Sequence, residues 1–268
     1  MLKVRNGRLP SDARQKLREY QDDVNAQATY PERVSRGKSK FSQRNRNTNS
    51  AFIKVRSKLT DMCRGSRRCM YCEDSVADEV EHFKPKDLYP NVVFEWMNYL
   101  YACGQCNGPK NNKFKVVARN SALVDVTRAR NAPVTRPTAG SPALIDPRRE
   151  NPLELMMLDV RDTFEFSEIA SVGSLEFQRA EYTIEILRLN ERDYLVEARG
   201  TAYTGYLDRL EQYVAKKEDG ANVRELARRR RALQRESHPT VWEEMKRQRA
   251  HIPRLDVLFN AAPEALDF

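Results

Sequence analysis

The sequence predicts an α+β fold in which a small strand–strand–helix unit, clamped by four cysteines, is embedded in a mainly α-helical protein. Three observations predict it. Cys69-Met-Tyr-Cys72 and Cys103-Gly-Gln-Cys106 are two CxxC pairs separated by 30 residues. The interval between them contains short strand-like stretches. On both sides of this region, apolar residues recur at helical spacing over long segments.

The chain of 268 residues divides into three parts: a basic N-terminal segment, 1–60; the cysteine region, 61–120; and a linker, a short hairpin and a helical domain over 121–268. In the first part, residues 12–27 predict a helix capped by Ser11 or Asp12. The stretch Arg33 to Arg46 combines Arg33, Arg36, Lys38, Lys40, Arg44 and Arg46 with Ser, Asn and Gly, and predicts a mobile arm attracted to nucleic-acid phosphates. Residues 1–60 hold 15 Lys/Arg against 5 Asp/Glu, whereas the rest of the chain balances 32 against 33. The net charge of +9 therefore lies wholly ahead of the cysteines. Thr48 is the expected cap of a further helix, with Phe52, Val55, Leu59 and Met62 on its buried stripe.

In the second part, a CxxC turn aims two thiolates at one ion, and two such turns complete a tetrahedral sulfur shell suited to structural Zn²⁺. Four thiolates leave no open position for catalysis, so this metal is expected to brace the unit. A redox dithiol is the weaker alternative, and Cys63 falls outside the pattern. The interval is longer than in a common zinc ribbon. Residues 77–83 alternate as a strand would, 91–96 suggest a second strand, and a helix is expected after Cys106. Glu73, Asp74, Asp78 and Glu79 read as solvated strand and turn residues. In the third part, prolines and glycine over 120–150 predict loops, 155–172 a hairpin, and the segment from Ser174 onward helices. One stripe runs through Phe177, Ala180, Ile184 and Leu187. Another runs through Leu195, Tyr203, Tyr206, Leu210 and Tyr213. Two or three short helices follow over 221–260. The run Arg228–Arg231 reads as a solvated face, and Trp242, Tyr203 and Tyr206 as core.

No run of about 18 uncharged apolar residues exists, so no membrane span is expected. The first residues lack the apolar segment of a signal peptide. A cytoplasmic protein with reduced thiols is expected, which favours metal over disulfides.

Glu81-His82-Phe83-Lys84-Pro85, then Trp96-Met-Asn98-Tyr-Leu100, then Cys106-Asn107-Gly-Pro-Lys110 together resemble the HNH (ββα-metal) endonuclease motif, enclosed by both CxxC pairs. The resemblance covers residues 69–114 and implies a ββα-metal core that hydrolyses phosphodiester bonds, in DNA before RNA. It implies His82 as general base, Glu81 and Asn107 as ligands of one catalytic Mg²⁺ or Mn²⁺, Asn98 as the residue holding the loop and orienting His82, and Lys110 as a phosphate contact. Asn111 and Asn112 compete with Asn107. The chemistry suits these types: an imidazole can take a water's proton near neutral pH, and hard oxygen donors suit Mg²⁺ or Mn²⁺. Here Glu81 and Asn107 stand where the motif's name has histidines. A wider pattern adds Leu144-Ile-Asp146-Pro147 and residues 179–190. It resembles the HNH effector of Septu-type and retron-associated antiphage systems, and implies an SMC-like ATPase partner. A ribonuclease of the same fold and a non-catalytic zinc-containing nucleic-acid-binding module are the competing readings.

Overall fold

The computed structural model describes residues 1–64 and 66–268. Three helices open the chain: α1 (Ser11–Asn25), α2 (Tyr30–Arg44) and α3 (Ser50–Met62). The cap of α1 is Pro10 rather than Ser11 or Asp12. Asp12 lies inside the first turn, paired with Lys54. The basic stretch expected to be a mobile arm is helix α2. Thr29 and Glu32 form a reciprocal capping box, with Pro31 in the first turn, an arrangement that satisfies orphan amides at both ends of the box. Val34, Gly37, Lys40 and Phe41 make its buried stripe. For α3 the cap is Asn49, not Thr48: its Oδ1 accepts from the Ala51 and Phe52 amides at 3.1 Å each.

The cysteine region then forms β1 (Glu79–His82), β2 (Tyr99–Ala102) and α4 (Gly104–Lys110). The strands pair antiparallel, with Glu81 opposite Leu100 and His82 opposite Tyr99. The second strand therefore lies eight residues beyond the expected 91–96, a stretch occupied by two short 3₁₀ turns, Pro90–Val92 and Trp96–Asn98. Tyr99–Ala102 is buried on both faces, so it reads as a continuous apolar run with no alternation to mark it.

Beyond the unit, β3 (Lys115–Val117), β4 (Leu123–Asp125) and β5 (Ser141–Pro142) form a small sheet, with β4 and β5 inside the stretch 120–150 expected to be loop. The hairpin is β6 (Met156–Leu158) with β7 (Phe166–Glu168), and five helices follow: α5 (Leu175–Ile186), α6 (Asp193–Glu218), α7 (Val223–Gln234), α8 (Pro239–Gln248) and α9 (Pro253–Ala261). Ser174 caps α5. Trp242 and Tyr206 stack within the core, ring centroids 5.3 Å apart. No described helix is long and apolar enough to cross a membrane.

One continuous hydrophobic cluster takes residues from all three parts of the chain. Polar groups stitch it together. Gln21 of α1 donates to the Pro90 carbonyl and accepts from the Phe94 amide, at 2.9 Å each. Buried Arg148 donates to the Tyr99 carbonyl at 2.8 Å and lies over the Trp96 ring. The two outlying pieces of the wider pattern meet here. Thr183 accepts from the Ile145 amide at 3.0 Å, and Arg179 donates to the Ala143 carbonyl at 3.2 Å and to Glu150 at 2.7 Å. Asn190 closes both backbone bonds of Phe166 at 2.8 Å.

Candidate functional site

The two CxxC turns face each other across the hairpin. Cys69 donates its amide to the Ser75 carbonyl at 2.9 Å, the Glu73 amide returns to the Cys69 carbonyl at 2.9 Å, and Cys103 opens α4. All four sulfurs are buried and lie within 4.8 Å of one another. Cys72 Sγ and Cys103 Sγ are 3.8 Å apart, the edge of a tetrahedron with metal–sulfur bonds of about 2.3 Å. The second layer fits as well. Arg192 Nη2 points at Cys106 Sγ from 3.5 Å, and Arg192 Nη1 is buried with no hydrogen-bond partner. Burial disfavours its charge, but the Cys106 and Cys72 thiolates outweigh burial and raise its pKa. A Zn²⁺ with four thiolates carries a net negative charge, which a buried guanidinium offsets. Four buried cysteines in this arrangement could hold zinc.

Glu73, expected to be solvated, is buried behind this site. Its carboxylate accepts from Thr240 Oγ1 at 2.8 Å and from the Thr240 amide at 2.9 Å, and pairs with the Met1 amine at 3.4 Å. Burial opposes its ionisation, yet these partners hold the carboxyl below its ordinary value.

A cavity of about 380 Å³ opens beside β1 and α4. It brings together Glu81, His82 and Asn107, along with Asp78, Glu79, Lys86, Phe41 of α2 and Asn45 just past its end. His82 is buried, its ring 4.3 Å from Phe41 and 5.3 Å from Tyr99 between centroids. His82 Nε2 lies 2.9 Å from the Val93 carbonyl, which also accepts from Tyr99 Oη at 2.8 Å. A carbonyl only accepts, so Nε2 carries the proton and Nδ1 keeps its lone pair. Burial, then the Lys86 charge, push the imidazole pKa down to about 3. The ring is therefore neutral at physiological pH.

The Asn98 side chain makes no hydrogen bond to His82. It clamps the loop: its Oδ1 accepts from the Lys84 amide at 2.8 Å, and its Nδ2 donates to the Lys84 and Val92 carbonyls at 3.1 and 3.0 Å. The Val93 carbonyl, next along the chain, sets the imidazole tautomer. Lys110 is also placed differently from its expected role. It is fully buried, ion-paired with Glu81 Oε1, and donates to the His82 carbonyl at 3.0 Å. Burial raises the Glu81 carboxyl and Lys110 opposes that rise. Asn107 Nδ2 donates to Glu79 Oε2 at 2.5 Å, leaving its amide oxygen as a donor atom for a cation.

The six basic residues of α2 and its end are largely spoken for. Arg36 and Lys40 both pair with Asp23, at 2.6 and 3.0 Å, and Lys38 pairs with Asp87 at 2.9 Å. Arg33 donates to the Gln27 carbonyl at 2.8 Å, and Arg44 lies 5.2 Å over Tyr20. Arg46 is exposed. Sequence reasoning missed Phe41, Lys86, Arg148 and Arg192. The Thr29–Glu32 capping box and the Val34/Gly37/Phe41 spacing were signals that could have found the first of these.

A curated relative, Septu protein PtuB of Bacillus thuringiensis, is 45% identical to this chain over 69 residues, which is 24% of this chain and 27% of that protein. The chain thus matches about a quarter of its relative's length. No family model matches the chain, and no solved structure resembles it significantly.

Proposed function

We propose that this chain is a metal-dependent HNH nuclease that hydrolyses DNA phosphodiester bonds as the effector of an antiphage defence system. The observation that carries the reading is a neutral, buried His82 whose Nε2 is tied to a carbonyl, set in one cavity with Glu81 and Asn107. The local likeness to a Septu protein supports the defence role. An SMC-like ATPase is the partner this reading implies.

His82 Nδ1 takes the proton of an attacking water, because Nε2 is already committed to Val93 and a neutral imidazole is the competent base. Phe41 and Tyr99 hold the ring edge-on so that it cannot swing away. Glu81 Oε2 and the Asn107 amide oxygen are the hard donors that would hold a Mg²⁺ or Mn²⁺; Lys110 occupies Glu81 Oε1. When bound, that cation polarises the scissile phosphate and stabilises the leaving oxygen. Asn98 keeps the loop closed so that the Val93 carbonyl stays in place. The four cysteines hold the ends of a unit too small to have a core of its own.

Cleavage of supercoiled plasmid and of tRNA in Mg²⁺ or Mn²⁺, by the full chain and by His82→Ala, tests this. Plasmid is cut, and the variant is slower by at least about 100-fold, the usual contribution of a general base. A variant that cuts as fast as the unmodified chain disproves the mechanism, and preferential cutting of tRNA makes the chain a ribonuclease.

A further inference from the structure

The cavity beside His82 is lined by three carboxylates, Asp78, Glu79 and Glu81. A phosphodiester is itself an anion, and such a lining repels it at close range. Lys110 cannot relieve this, since its ammonium is fully buried between Glu81 and the His82 carbonyl. Lys86 is placed otherwise. It is the one Lys or Arg among the described residues lining the cavity. The residue is half-buried, and its ammonium sits 5.9 Å over the Phe41 ring, the same ring that packs on His82. Of the nearby carboxylates, Asp87 is paired with Lys38 and Glu81 with Lys110, and Glu79 accepts from the Asn107 side-chain amide. Lys86 itself has no ion pair among the described residues.

The backbone carrying Lys86 is also pinned. The Leu88 and Tyr89 amides both bond the Pro85 carbonyl, at 3.0 and 2.9 Å. Asp87 Oδ2 accepts from Lys38 of α2 at 2.9 Å and from Asn112 beyond α4 at 3.0 Å, tying the turn to both walls of the cavity. A cation on so fixed a turn, lying on an aromatic face, is pre-organised in a way a free surface lysine is not.

We propose that Lys86 is the phosphodiester-binding residue of this cavity, taking the place that the sequence motif assigns to Lys110. The proposal rests on the nuclease reading, but its test reads binding rather than turnover. Each phosphate contact contributes about 0.9 to the slope of log affinity against log salt on duplex DNA. Binding of a fluorescein-labelled DNA duplex to the full chain, without added Mg²⁺ or Mn²⁺, is measured over a series of NaCl concentrations. Lys86→Met keeps the stem on Phe41 and removes the charge. It is expected to flatten the slope by about 0.9 and to weaken binding roughly tenfold at low salt. Lys86→Arg retains the slope. Lys86→Gln is a second neutral variant should the methionine prove unstable. Unchanged slope and affinity in the neutral variants overturn the proposal, as does a full chain that binds no duplex. A chain that binds with the Lys86 signature yet cuts neither plasmid nor tRNA supports the proposal and overturns the nuclease reading alone.

Discussion

Replacing Arg192 by Gln isolates the charge behind the four-cysteine site. The guanidinium lies 3.5 Å from Cys106 Sγ and also donates to the Leu187 and Arg188 carbonyls at 3.1 and 3.0 Å. At 3.5 Å a pair of unit charges interacts by about 5 kcal/mol at an effective dielectric near 20. That figure is an upper bound, because metal–sulfur bonding drains charge from the sulfur and the guanidinium loses water on burial. Outer-shell substitutions at metal sites typically cost about 10- to 100-fold in affinity, which is about 1.4–2.8 kcal/mol. The expectation for Arg192→Gln is therefore zinc loss about 30-fold faster or affinity about 30-fold weaker. Arg192→Lys, which keeps the charge but not the planar fork, falls between. The assay is metal release from the purified full chain to a chromophoric chelator, after atomic absorption has established about one tightly held zinc per chain. Because Arg192 stands at the N-terminal boundary of α6, hydrogen exchange near residues 189–199 should rise as zinc leaves. A glutamine variant that holds zinc as long as the unmodified chain would refute the reasoning.

Two further outcomes concern stability. Lys110→Met leaves Glu81 buried without its counter-charge and should cost about 3–5 kcal/mol in urea unfolding; adding Glu81→Gln should restore much of it, and a loss under about 1 kcal/mol would remove the pair's structural role. Acid should loosen α2 from α1, because the Asp23 carboxyl is held down at about 2, first by the Arg36 hydrogen bond and also by Lys40. A depressed carboxyl contributes stability above its unfolded value and loses it as pH falls from about 4 to 2. Allowing for solvent screening, the gap to Asp23→Asn should be about 1 kcal/mol at pH 5 and close by pH 2; a pH-independent gap would exclude this ion pair as the cause.

The parts of this protein legible in its sequence are those whose cause is local. A CxxC turn brings two sulfurs together through its own geometry, so Cys69, Cys72, Cys103 and Cys106 could be grouped from spacing alone, and the structure gathers them. The helical stripe through Phe52, Val55 and Leu59 and the hairpin over 155–172 follow from periodicity in the same way. Tyr99–Ala102 is buried on both faces, so alternation vanishes there and the sequence pattern points to 91–96 instead. The basic stretch reads as an arm because charge conceals a stripe when the charges are satisfied by residues elsewhere in the chain, Asp23 and Asp87. What tertiary structure alone decides is which charges remain free. Lys110 lies nearer than Lys86 to the second cysteine pair in sequence, yet packing buries Lys110 against Glu81 and leaves Lys86 facing the cavity. Likewise, Arg192 lies 86 residues from Cys106 and meets it only because the C-terminal helices fold back onto the zinc-type site. Spacing encodes the ligand set, since it is fixed by a few backbone angles. The electrostatics around that set depends on contacts between distant segments, which no local pattern records.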